Sequence, residues 1–190
     1  MTASIQHHEW NLKHGEIPVT WSAADYEGIR WIPLPPLEAH ATNKGFRAHD
    51  GAYQIYGERI SGWTPEFQQA GVGTVVPDAV ARVFDPVRDL FGLDQMIYSL
   101  GRYSPGQILP WHRDLYPTYR DRNNIDDPER VVRIIVLLHD PAPGQQLWIQ
   151  DQFCGGRAGS WFSWQGATRH MAANLSEQDR YMMQITGVVS

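Results

Sequence analysis

Apolar and polar residues alternate with a period of two through the second half of this chain, and no such order runs through the first. Seven segments read as strands: Met96 to Tyr103, Gln107 to Asp114, Val131 to His139, Gln146 to Asp151, Ser160 to Trp164, Ala167 to Ala172 and Arg180 to Val189. The period identifies them because residues i, i+2 and i+4 share one face of a strand. Turn-forming clusters separate most of them: Ser104-Pro105-Gly106, Pro141-Ala142-Pro143-Gly144, Gly155-Gly156 and Gly166. Upstream the signals are mixed. Ser22 suits the cap of a short helix from Ala23 to Tyr26. Pro33, Pro35 and Pro36 force extended chain, and Gly45 to Gly62 reads as turn-rich around Ala52 to Tyr56. Pro77 and Asp78 open a helix with Val80, Val83, Phe84, Val87, Leu90 and Phe91 on one face, which Pro86 must kink or divide.

Short strands behind a helical preface predict a mainly β fold, a double-sheet jelly roll with N-terminal helices packed outside. The expected organisation is one domain over residues 1–190, with a mixed helical and extended preface at 1–94 and a jelly-roll core at 95–190. The one long polar insertion, Leu115 to Arg130, reads as a loop, and loops of that length in compact domains are usually functional.

Composition narrows the function. The 190 residues carry a net charge of -5, with the basic residues scattered. A nucleic-acid surface needs a basic stripe, so that partner is not expected. No apolar run is long enough to span a bilayer, and Met1 to His14 holds no signal-peptide core, so no membrane and a cytoplasmic location are expected. A single cysteine, Cys154, excludes an internal disulfide. Eight Trp and eight Tyr are many for this length, and Trp111, Trp148, Trp161 and Trp164 flank the chemistry described next. Rings of this kind fill β cores, and one or two could line a pocket.

His112 and Asp114 stand two apart, so on a strand both side chains leave one face and can meet one ion. His170 follows a glycine turn at the start of a late strand. Two imidazoles and a carboxylate can hold a metal by one face and leave the other open, the ligand set of non-haem Fe(II) sites. Arg180 opens Arg180-Tyr181-Met182-Met183-Gln184-Ile185-Thr186, a strand apolar on both faces and therefore buried. A buried arginine needs an anion, either an acid elsewhere in the protein or a bound carboxylate.

The pattern His112-x-Asp114, then His170, then Arg180 resembles the Fe(II)- and 2-oxoglutarate-dependent oxygenases of double-stranded β-helix, cupin-like fold. The resemblance covers Met96 to Val188. Within that superfamily, Val132-Arg133-Ile134 to Leu138, with Trp161-Phe162 leading to His170 and Arg180, is similar to the aspartyl/asparaginyl β-hydroxylase-like group, which includes free-proline hydroxylases. The resemblance implies that His112, Asp114 and His170 ligate Fe(II) and are the catalytic centre. It implies that Arg180 binds the distal carboxylate of 2-oxoglutarate, with Arg133 a second anion contact for co-substrate or substrate. Many relatives place a serine two residues after the arginine, where this chain has Met182. A further hydrogen bond to that carboxylate would then come from elsewhere, with Tyr98 and Tyr103 the candidates.

The implied reaction is that of a dioxygenase. 2-Oxoglutarate and O2 are consumed, succinate and CO2 are released, a C–H is hydroxylated, and ascorbate is expected to stimulate turnover. Relatives that halogenate lack the carboxylate at the Asp114 place, which favours hydroxylation here. The expected substrate is a small molecule or peptide of amino-acid type: a free amino acid, a peptidyl side chain or a related natural product. Trp111, Arg120 and Arg122 are the candidate substrate residues, Arg120 and Arg122 from the loop beside the iron ligands. The rival is a cupin-like metal-binding or ligand-binding module without turnover. Against it, a pure binding module has no need of a buried carboxylate-binding arginine. Cupins without 2-oxoglutarate usually bring His-x-His where this chain has His112-x-Asp114, and no motif places the general base of a zinc hydrolase.

Overall fold

The computed structural model describes residues 12–27, 66–70 and 89–189. Two antiparallel sheets face each other. The major sheet has the strand order β1-β8-β5-β10-β3-β2 and the minor sheet β4-β9-β6-β7. The strands are β1 (Lys13–Glu16), β2 (Glu66–Ala70), β3 (Asp94–Tyr103), β4 (Ile108–His112), β5 (Val131–Leu137), β6 (Gln145–Ile149), β7 (Gln152–Phe153), β8 (Ser160–Gln165), β9 (His170–Asn174) and β10 (Arg180–Val188). Successive strands from β3 to β10 alternate between the sheets, apart from the β6–β7 hairpin. This is the double-sheet jelly roll expected from the alternating pattern, with the double-stranded β-helix winding that the resemblance implies.

The period of two sorts the major sheet into two cores. On its outer face Met96, Tyr98 and Leu100 of β3 pack with Val132, Ile134 and Val136 of β5 and Tyr181, Met183 and Ile185 of β10. The other face contributes Tyr103, Ile135, Leu137, Phe162, Trp164 and Met182 to the space between the sheets, where they meet Leu147, Ile149 and Ala172 of the minor sheet. β5 is buried at every position because it is covered on both sides. Its central place, between β8 and β10, accounts for that.

Three strands were not expected. β1 reads Lys-His-Gly-Glu, without apolar alternation, and lies at the edge on β8. It fits there because Gly15 lets the Trp161 indole come close: a Cβ at Gly15 would lie 2.7 Å from that ring. β2 pairs with β3 at the other edge, and β7 is a two-residue hairpin return from β6. The short helix α1 (Ala24–Glu27) follows Ser22, whose backbone N–H donates to Asp25 Oδ2 at 2.7 Å. Of the expected helix beginning at Pro77, residues 89–91 are described and are helical, ending at Gly92 with φ +54°. Its earlier part, Pro33 to Pro36 and the Gly45 to Gly62 stretch lie outside the described residues.

The Leu115 to Arg130 segment is a correction. It is not an open loop: it holds helix α2 (Pro117–Asn123) and a 3-10 turn, Pro128–Arg130. Pro117 opens the helix where a missing N–H costs nothing, and Asn124 closes it in the left-handed conformation. Tyr116, Tyr119 and Ile125 bury a small core of their own against Val131 and Val188. The insertion is thus a packed lobe beside the end of the sandwich where β4 terminates.

Candidate metal centre

His112 and His170 are register partners on neighbouring strands β4 and β9. Regular alternation would turn Leu109 and His112 to opposite faces. The register shift between them brings both inward, Leu109 against the inter-sheet core and His112 buried beyond it. β4 ends at His112, so Asp114 leaves the strand end and does not continue it. Its Oδ1 lies 3.6 Å from His112 Nε2 and its Oδ2 3.7 Å from His170 Nε2. The two imidazole centroids are 4.1 Å apart.

These side chains fit a metal. One ligand atom from each of the three lies within 4.8 Å of the others. The His170 Nδ1 is 2.9 Å from the Thr168 carbonyl oxygen. A carbonyl only accepts, so Nδ1 carries the proton and Nε2 keeps its lone pair for the site, the usual outer support of a metal-ligating histidine. Burial first, then the neighbouring His112, push the His170 pKa down to about 3, which keeps it the neutral ligand a metal needs. The turn behind it is built for this. Gly166 sits at φ +58° where a Cβ would meet the Glu129 carboxylate, and Thr168 Oγ1 donates to the Gln165 carbonyl at 2.7 Å. The Trp164 ring closes the other side, 4.8 Å from His170.

Behind Asp114 stands Arg133, projecting from β5 into the inter-sheet space. Its Nη2 donates to Asp114 Oδ2 at 2.8 Å. Its guanidinium lies over the Tyr116 ring, 4.9 Å from the centroid. Tyr116 holds that place through an unusual backbone, φ +50°, a left-handed conformation that costs a residue with a Cβ roughly 1–2 kcal/mol. Burial works against the Arg133 charge, but Tyr116 and Asp114 more than offset it and hold its pKa above the ordinary value. The positive charge expected to meet an external anion is therefore matched within the protein.

Arg180 is different. It is 3% exposed, and its Nη1 has no hydrogen-bond partner among the described residues. The adjacent acid does not serve it, since Asp179 faces Arg102 at 4.0 Å and accepts from the Tyr181 hydroxyl at 3.2 Å. The Arg180 guanidinium rests over Tyr103, 5.4 Å from the ring centroid. Burial draws its pKa below the ordinary value, as for any cation without a counter-ion. Tyr103 links the two halves of the site. Burial pushes its pKa up to about 12, and the charges of Arg180, Asp114 and Arg133 all reach it. Arg180 is held at the start of β10 by a polar knot under the preceding turn. Asn174 Nδ2 donates to the Tyr103 and Gln178 carbonyls at 2.7 Å each, and Asn174 Oδ1 accepts from the Ser176 hydroxyl at 2.7 Å.

Beside Arg180 opens a cavity of about 280 Å³ between the β5–β6 and β7–β8 connections, with Leu147, Phe153 and Cys154 in its wall. None of the three metal-binding candidates lines it.

The other candidates are spread out. Tyr98 belongs to the outer core, on the opposite face of β3 from Tyr103. Met182, at the place of the missing serine, lies in the inner core against Gly101. Trp111 lies under the Arg169 guanidinium at 5.0 Å. Arg120 caps its own helix, donating to the carbonyls of Ile125 and Asp126, and Arg122 is exposed. Tyr116 was missed by sequence reasoning. Its position two residues after Asp114 and before Pro117 was the available signal.

No protein-family model matches the chain, and no curated protein matches it. Solved structures do. A prolyl-4-hydroxylase from Pseudomonas putida aligns with 96% of this chain and 94% of its own at 14% identity and a TM-score of 0.57. SnoK, a non-haem α-ketoglutarate-dependent carbocyclase from nogalamycin biosynthesis, aligns with 95% of this chain and 80% of its own at 15% identity and a TM-score of 0.55. An oxidoreductase of the 2OG-Fe(II) oxygenase family from Burkholderia pseudomallei aligns with 93% and 85% at 11% identity and a TM-score of 0.53. At these identities the likeness is one of fold.

Proposed function

We propose that the chain is an Fe(II)- and 2-oxoglutarate-dependent dioxygenase that hydroxylates an unactivated C–H of an amino-acid-type substrate. The observation that carries this reading is a pairing. A cluster of two buried histidines and a half-buried carboxylate shares the inter-sheet space with a buried arginine that has no acid of its own among the described residues. Tyr103 lies within electrostatic reach of both. The solved neighbours described as a 2OG-Fe(II) oxygenase and an α-ketoglutarate-dependent carbocyclase add weight to it.

His112, Asp114 and His170 would hold the metal. When bound, Fe(II) with 2-oxoglutarate and O2 supplies the oxidising power, and the co-substrate leaves as succinate and CO2. The chain's own residues orient and shield. Arg180 offers its guanidinium to the distal carboxylate of 2-oxoglutarate, and Tyr103 rests under that guanidinium with its hydroxyl kept protonated and able to donate. Trp164 and the inner core keep water away from the histidines. The α2 lobe follows directly on Asp114 and would be the element to meet the substrate.

The test is succinate formation by purified protein supplied with Fe(II), 2-oxoglutarate, ascorbate and air, with free amino acids and then peptides screened as substrates. Succinate that disappears in the His112→Ala variant is the expected result. The Arg180 cavity favours a second reading, a cupin-like module that binds a small carboxylate without turnover. Tight 2-oxoglutarate binding unaffected by metal, with no succinate from any substrate, would select it.

A further inference from the structure

The cavity beside Arg180 lies at the far end of the sandwich from the candidate metal centre. On β6, Ile149 pairs with His170, whereas Gln145 at the other end of that strand pairs with Asn174 and lines the cavity. On β5, Arg133 reaches Asp114, whereas Leu137 at the other end belongs to the cavity wall. Arg180 is therefore open to an approach that does not pass the histidines. Among the residues that line the cavity it is the only charged one. We infer that this cavity binds a short-chain monocarboxylate on Arg180, and that its occupant opposes 2-oxoglutarate.

The first argument is electrostatic. A buried guanidinium calls for an anion, and Arg180, 3% exposed, has no acid beside it among the described residues. Its neighbours Tyr103 and Cys154 do not serve. Burial pushes the hydroxyl of one and the thiol of the other up to about 12, so both are neutral at pH 7. The second argument is the lining. The cavity measures about 280 Å³, and Leu137, Leu147 and Phe153 give it apolar walls. An apolar pocket with one polar anchor is the usual form of a small-ligand site. With no second cation in the wall, a dicarboxylate or a phosphate is poorly matched and a single carboxylate on an apolar tail is well matched.

The third argument is that the wall is built. Gln145 Nε2 donates to the Ser176 hydroxyl and the Gln178 carbonyl at 3.2 Å each, and Gln145 Oε1 accepts from the Ala142 N–H at 3.3 Å. These bonds tie the β5–β6 connection to the turn that precedes Arg180. Gly144, at φ +96°, packs so close to that turn that a Cβ would lie 2.9 Å from the Leu175 backbone. Phe153, 55% exposed, marks where the wall meets solvent. The opposition to 2-oxoglutarate rests on the reading of Arg180 proposed above. One guanidinium carries one uncompensated charge, so an anion already paired with it leaves less for the next.

The probe is butyrate, titrated by calorimetry into purified protein freed of metal by a chelator. Wild type and His112→Ala are both expected to bind one equivalent with equal affinity, because the cavity does not involve the cluster. Phe153→Ala, at an exposed position, should bind several-fold more weakly, and Arg180→Met should not bind at all. Circular dichroism checks that each variant folds. Butyramide, similar in size but uncharged, and inorganic phosphate should give no heat. No binding of butyrate to wild type, unchanged affinity in folded Phe153→Ala, or phosphate bound as tightly as butyrate overturns the inference. So does butyrate that needs added metal or is lost in His112→Ala, since its carboxylate would then sit on the cluster. With Fe(II) present and air excluded, saturating butyrate should lower 2-oxoglutarate affinity on the order of 10-fold, and 2-oxoglutarate should weaken butyrate equally. An unmoved 2-oxoglutarate affinity overturns the opposition between the two. If 2-oxoglutarate does not bind the Fe(II) protein at all while butyrate binds as described, the oxygenase reading falls and the carboxylate site stands.

Discussion

Replacing Arg180 by methionine should make the protein more stable and the co-substrate weaker, two effects of opposite sign from one substitution. The guanidinium is 3% exposed and its Nη1 has no partner among the described residues. A buried donor left unsatisfied costs about 1–3 kcal/mol, more when charged. The Tyr103 ring at 5.4 Å returns part of this, about 0.5–2 kcal/mol for a cation over an aromatic face. Methionine is unbranched, reaches nearly as far and suits the apolar wall made by Leu137 and Leu147, so the substitution leaves little void. The net expectation is a gain of about 1 kcal/mol, or roughly 2–4 °C in Tm for a domain of this size. Binding moves the other way. Charge-assisted hydrogen bonds contribute about 1.5–3 kcal/mol each, so losing a bidentate pair lowers 2-oxoglutarate affinity on the order of 10²–10⁴-fold. Differential scanning fluorimetry without ligand and anaerobic calorimetry with 2-oxoglutarate read the two halves separately. A variant that lost stability and kept its affinity would show that Arg180 is structural, and the co-substrate assignment would fall.

Three further outcomes are expected. His139 accepts the Tyr181 N–H at 3.0 Å through Nε2, and burial lowers its pKa below the ordinary 6.5. The unfolded chain therefore takes up the proton first, so stability is lost as pH falls from about 6.5 towards the folded value. His170, pushed down to about 3, works in the same direction, so in chemical denaturation at pH 7 and pH 5 the His139→Gln variant should lose less than wild type but not nothing. Cys154 is buried with its thiol pushed up to about 12, so it should resist a thiol reagent at pH 7 in the folded protein and react fully in denaturant; fast labelling of folded protein would contradict this placement. Gly15→Val drives a side chain into the Trp161 indole, which a Cβ would already approach to 2.7 Å, and should cost about 1–3 kcal/mol in urea unfolding, the usual range for overpacking. An unchanged midpoint would mean that β1 does not depend on that close approach.

The strands that build the sandwich were legible because burial on one or both faces imposes the period of two that sequence reveals. β1 escaped notice because an edge strand needs backbone partners more than apolar side chains, and Lys13, His14 and Glu16 are exposed. The residues of the candidate metal centre could be singled out from the spacing of His112, Asp114 and His170. Their geometry could not, because a register shift near Pro110 decides which way His112 points. The lobe after Asp114 reads as polar since its charges are exposed, yet Tyr116, Tyr119 and Ile125 turn a small apolar face to the sheet. Arg133 was singled out by the resemblance as a second anion contact. Its partner, Asp114, lies nineteen residues away on the far side of that lobe, and only the tertiary fold brings them to 2.8 Å.

The most direct test of the account is whether the cluster and the arginine act on one molecule. Under anaerobic conditions Fe(II) and 2-oxoglutarate should together give a visible charge-transfer band that neither gives alone. The band should be absent in His170→Ala, and Arg180→Met should require far more 2-oxoglutarate to develop it. A band of equal strength and midpoint in Arg180→Met, or none in wild type at saturating 2-oxoglutarate, would contradict it.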